Sequence, residues 1–150
     1  ELNMRIASPS APVSWGELLD KITILEIKRA RITRPAALAN IENEHRVLAA
    51  IATPVLERAE ILPEFDALRA VNEALWEIED AIREEEAGQR FGAEFIRLAR
   101  AVYHRNDERA AIKRRINALL DSELVEEKSY ASFVATGVET RPDLIAARAG

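Results

Sequence analysis

The sequence predicts an all-α fold, an antiparallel bundle of four main helices with an extended C-terminal arm. Three observations carry that prediction. The 150 residues hold only five glycines amid abundant Ala, Leu, Glu and Arg, a composition that favours helix. Helix-starting signals punctuate the chain at intervals. Between them, apolar residues recur at alternating steps of three and four, the period of one helix face.

The first helix opens at Ser14-Trp15-Gly16-Glu17, a capping box. The Ser14 hydroxyl can accept from the Glu17 amide while the Glu17 carboxylate reaches back, with Val13 and Leu18 at the staple positions. The following "KITILEIK" alternates like a strand and is rich in β-formers. A strand would leave apolar residues on both faces and waste the cap, so the segment to Ile32 is read as helix. Its seam is Leu18, Ile22, Leu25, Arg29, Ile32, with Ile24 and Ile27 forming a second apolar edge. Such a helix is either central or covered on that edge by the arm or a second subunit.

Pro35, after Thr33, suits a first helical turn, and a second helix is expected from there to Ala52. Its seam is Leu38, Ile41, His45, Leu48, Ala52. Thr53-Pro54 repeats the punctuation and begins a short helical link. Pro63 starts a third helix, with seam Leu68, Val71, Leu75, Ile78, Ile82, ending near Gly88 as a C′ residue. The fourth runs from about Gly92 to Leu120, with seam Phe95, Leu98, Val102, Arg105, Arg109, Ile112, Ile116, Leu119. Short connections make neighbours antiparallel. Residues 4–130 are taken as one domain, since Glu1-Leu2-Asn3 precede Met4 and are set aside as an expression remnant. Residues 131–150, with Gly137 and Pro142, are read as an arm that is loosely ordered or docked on a partner subunit.

Three of the four seams carry a polar interruption. An arginine keeps its charge in a protein interior and needs anionic or carbonyl partners. Folding the third and fourth helices about Gly88–Arg90 brings Asn72 and Glu73 level with Arg105 to Arg109. Folding the first two about Thr33–Pro35 places Thr23 near His45, with Glu26 a turn away. The candidate ligand-binding set is therefore Arg29, Arg105, Arg109, Glu26, Asn72 and His45, a pocket for a carboxylate or phosphate that arginine forks can grip. The competing reading is an ion-pair layer that fixes helix register, with arginine stems snorkelling outward, and it is preferred.

Other chemistries find less support. Glu42-x-x-His45 has di-iron spacing, but His104 has Ala101 where a second copy needs glutamate. Glu73, Glu77, Asp80 and Glu84 could form a Mg²⁺ row on the third helix, and read more simply as a solvated acidic face. With no cysteine and no Gly-x-Ser-x-Gly, thiol and serine nucleophiles are not supported, and no metal or cofactor is expected. The net charge of −5 argues against a general nucleic-acid binder. The seven basic residues between 97 and 115 have a ready partner in the nine acids between 64 and 86. No stretch approaches the roughly 18 apolar residues of a membrane span, and no signal-peptide pattern opens the chain. A cytoplasmic protein is expected.

The stretches "PVSWGELLDKITILEIK", "VNEALWEIED", "FGAEFIRLARAVYHRNDERAAIKRRIN" and "VEEKSY" resemble an uncharacterised family of small bacterial all-helical proteins, a domain of unknown function, over roughly residues 4–130. The resemblance implies no activity, cofactor or catalytic residue; it implies a link to cell-surface polysaccharide metabolism. The first helix is also similar to that of helical chorismate mutases, though the spacing beyond it does not follow. The expected function is a non-enzymatic helical accessory or binding protein, with a homodimer and an anionic small molecule as partners. The alternative is a small enzyme acting on a phosphorylated or carboxylated metabolite through the arginine pocket, or through the acidic row with Mg²⁺.

Overall fold

A computed structural model describes residues 5–129. It contains α1 (Trp15–Arg31), α2 (Pro35–Leu56), α3 (Leu62–Ala87) and α4 (Ala93–Leu119), and no strand among the described residues. The arm expected over residues 131–150 lies outside them.

The strand-like "ITILEI" is helical throughout, and its position explains its composition. α1 packs on each of the other three helices, whereas α2 has α1 as its main neighbour. Leu18, Leu19, Ile22, Leu25 and Ile27 are buried and Ile24 is half-buried, so the second apolar edge of α1 is largely covered inside the chain. α3 and α4 form the most extensive helix pair. The core gathers Leu19 and Ile22 of α1, Ala52 and Val55 of α2, Ile61 and Leu68 at and after the start of α3, and Ile112 and Ile116 of α4.

Four local expectations need correction. Pro54 does not end α2; the helix carries through it to Leu56. Burial of Ala52 and Val55 on the core side outweighs the one backbone hydrogen bond a proline forfeits. Gly88 is not the left-handed residue after α3. It keeps φ −81°, and Gln89 takes φ 53° instead. Arg90 N–H then bonds Glu85 O at 2.9 Å and Gln89 N–H bonds Glu86 O at 3.0 Å, a Schellman closure. Asp121, with φ 49°, closes α4 in the same way. The capping box is half formed: Glu17 N–H donates to Ser14 Oγ at 3.2 Å, but the Glu17 carboxylate is taken by Lys113. In the α4 seam Arg105 is exposed and Leu119 is 42% exposed, so the seam leaves the core at both places.

The start of α1 is capped across the fold. Gly16 N–H donates to Asn117 Oδ1 at 2.7 Å and Trp15 N–H to Ser122 Oγ at 3.3 Å. With Ser14 on the Glu17 amide, the first three amides of the helix all have side-chain acceptors. Glycine is required at position 16, because a Cβ there would lie 2.7 Å from Lys113 O and 2.9 Å from Asn117 Oδ1.

Candidate functional site

The polar residues between the helices divide into two clusters, both anchored on α1. The first centres on Asp20, which is 1% exposed. Arg109 on α4 grips its carboxylate bidentately through one edge of the guanidinium, Nε donating to Oδ1 at 2.9 Å and Nη2 to Oδ2. Asn72 on α3 donates through Nδ2 to Asp20 Oδ1 and to Thr23 Oγ1, each at 2.8 Å. Thr23 in turn donates to the Asp20 carbonyl at 2.7 Å. Lys113 Nζ, one turn beyond Arg109, lies 3.8 Å from Asp20 Oδ2 and binds Glu17 at 2.7 Å and Glu126 at 3.1 Å.

Electrostatics in this cluster are mutual. The hydrogen bond to Asp20 raises Arg109 above its ordinary pKa, against the burial that works the other way. Burial acts to lower Lys113, but bonds to Glu17 and Glu126 and the field of Asp20 raise it overall. Glu126 is held down at about 2 by its hydrogen bonds to Lys128 and Lys113. The segment after α4 is thereby tied back onto the helix it has just left.

The second cluster lies between α1, α2 and the first half of α3. Glu26 receives Arg69 Nε at 3.1 Å and Nη2 at 2.5 Å, and its other oxygen lies 3.6 Å from His45 Nε2. Arg29 donates to His45 Nδ1 at 3.4 Å and pairs loosely with Glu42 at 3.8 Å. His45 Nε2 is buried without a hydrogen-bond partner among the described residues. Arg69 is further fixed by Asp66 at 3.2 Å and by the face of Phe65, 4.9 Å from its ring centre.

The six expected site residues therefore occupy three places. Arg109 and Asn72 meet, as the folding of α3 on α4 suggested, but they meet through Asp20. Glu26, His45 and Arg29 come together in the second cluster. Arg105 belongs to neither; it lies at the surface, paired with Glu108 one turn on at 2.9 Å. Sequence reasoning missed Asp20, Lys113, Glu17 and Arg69. The signal for Asp20 was its i, i+3 spacing to Thr23 and Glu26, a polar line running beside the apolar seam. The acidic row is solvent-exposed at all four positions, Glu73, Glu77, Asp80 and Glu84, and Glu77 pairs with Arg31 at 3.2 Å. Among the described residues, no group of three or more histidines and carboxylates is arranged to hold a metal ion, and no helix is long and apolar enough to cross a membrane.

Chemically, the first cluster is a closed exchange of charge: two cations face three carboxylates, with Asn72 occupying the remaining side of Asp20. A family model described as a family of unknown function (DUF6165) matches residues 10–143. The chain belongs to that family. No curated protein and no solved structure gives a match.

Proposed function

We propose that this member of the DUF6165 family is a non-enzymatic helical accessory protein of the bacterial cytoplasm, whose internal charges hold its helices in register. Its role in cell-surface polysaccharide metabolism is proposed from the resemblance of its motifs. The observation that carries the non-enzymatic reading is the occupation of Arg109. Of the three arginines expected to grip an anion it is the best enclosed, and the Nε/Nη2 edge of its fork, one that would hold a carboxylate or phosphate side-on, already holds Asp20. Arg29 and Arg105 have Glu42 and Glu108 beside them. A pocket enzyme would need these three cations to converge on a free space, and they lie in three separate places.

The test is a thermal-shift screen of anionic metabolites, with and without Mg²⁺, on the full chain. A ligand at a hundred times its Kd adds about 2.7 kcal/mol, or roughly 5–10 °C for a chain of this size. The expected result is no such shift. A metabolite that raises Tm by that amount, with the rise abolished in Arg109→Met, would overturn the proposal in favour of the anion-binding enzyme.

A further inference from the structure

The outward face of α4 carries charges that the protomer leaves unused. Ala93, Ile96, Arg97, Arg100, Ala101 and His104 line a shallow depression of about 330 Å³ there. Ile96 is 55% exposed, and Phe91 just before the helix 50%. Arg97 and Arg105 are paired within the helix to Glu94 and Glu108. The side chains of Arg100 and Asp107 make no ion pair or hydrogen bond among the described residues. They are opposite in sign and seven residues apart, so they lie on one face about 10 Å from each other. The midpoint between them is Tyr103–His104.

A pattern of this kind is complementary to itself. If two such helices lie antiparallel about a twofold axis at Tyr103–His104, each Arg100 faces the Asp107 of the other copy. Two reciprocal ion pairs then flank the axis. Isologous contacts of this type are the commonest in homo-oligomers. The composition of the face agrees. Ala93 and Ala101 permit close approach of two helices, and most of the large side chains are aromatic or arginine, the types enriched at interface centres. The one lysine of α4, Lys113, is turned away toward Glu17 of α1.

We infer that this face of α4 is the docking surface for a second copy of the chain, α4 against α4, with Arg100 and Asp107 as the reciprocal pair. The interface lies away from the edge of α1 at Ile24 and Ile27, and it stands independently of the function proposed above.

Sedimentation velocity on the full chain tests it. At tens of micromolar the native chain should sediment as a dimer. Arg100→Asp and Asp107→Arg should each be folded monomers, because each reversal sets two like-charged pairs across the axis and weakens association by about a hundredfold or more. An equimolar mixture of the two variants should recover a dimer, since the two aspartates of one chain then face the two arginines of the other. The doubly reversed chain should dimerise as well. A native monomer at that concentration would overturn the inference, as would single reversals that remain dimeric or a mixture that remains monomeric. Far-UV circular dichroism confirms that both exposed substitutions leave the helices intact.

Discussion

Asp20 offers the sharpest test of how the bundle is held together. Replacing it with alanine removes one carboxylate that accepts from Arg109 Nε, Arg109 Nη2 and Asn72 Nδ2. Hydrogen bonds to a charged group contribute about 1.5–3 kcal/mol each, and a simple sum of three would reach roughly 4.5–9 kcal/mol. That sum overstates the effect, because burying the carboxylate itself costs several kcal/mol. What decides the outcome is the residue left behind. Arg109 is half-buried, and Lys113 has a side chain only 12% exposed; both lose part of their neutralising charge. Removing one partner of a buried pair typically costs about 3–5 kcal/mol, a fifth or more of the roughly 5–15 kcal/mol that holds a domain folded. Tm should fall by roughly 6–20 °C. Urea unfolding followed by circular dichroism measures the change. The companion double variant Asp20→Leu/Arg109→Met should recover most of the loss, since an apolar pair has no charge left to strand. A cost below about 1 kcal/mol for Asp20→Ala, or a double variant no better than the single, would refute this account of the cluster.

Further outcomes follow from single positions. Gly16→Ala should cost at least about 1 kcal/mol despite alanine's higher helix propensity, because the new Cβ meets the fixed Lys113 carbonyl at 2.7 Å; a rise in Tm would contradict the close approach of α1 and α4. Gln89→Gly should stabilise by about 0.5–1 kcal/mol by relieving a left-handed residue, even though the Gln89 Nε2 bond to Glu86 O is lost; thermal melting reads the sign. Glu126, depressed from 4.5 to about 2 by Lys128 and Lys113, contributes stability that is fully present above pH 4.5 and is lost as pH falls toward 2. Because the Glu126 carboxylate itself is solvent-exposed and screened, the contribution is no more than about 1 kcal/mol. Glu126→Gln should therefore be less stable than the native chain at neutral pH and indistinguishable from it below about pH 2, as urea titrations across that range would register.

Much of the fold could be read from local chemistry. Ser14, Pro35 and Pro63 mark helix starts because caps and first-turn prolines act within a few residues. The apolar seams of α3 and α4 locate their contact because each of these helices has one dominant buried side over most of its length. α1 defeats the same procedure. It is enclosed on nearly all sides, so no single stripe describes it, and Asp20 and Thr23 sit off the stripe that periodicity selects. The interior cluster was therefore found from its outer members, Arg109 and Asn72, while the carboxylate joining them was passed over. Arg105 shows the opposite error: a position kept in register with the seam although α4 has already turned it to solvent. Gln89 escaped because a left-handed residue is chosen by the closing hydrogen bonds of the turn, and the neighbouring glycine offered a more obvious candidate.

The capping of α1 by Asn117 and Ser122 spans 101 and 107 residues of chain. Contacts of such separation are expensive to close in entropy and slow to form. On a ribosome, α1 is made first and waits for nearly the whole domain before its opening amides find their acceptors. Until then its buried face, including Asp20, has no α4 to answer it. The domain is in this sense fastened at its beginning by its end. A nascent or truncated chain lacking residues 117–122 would hold α2 and α3 yet leave the helix at the centre of the fold unsecured.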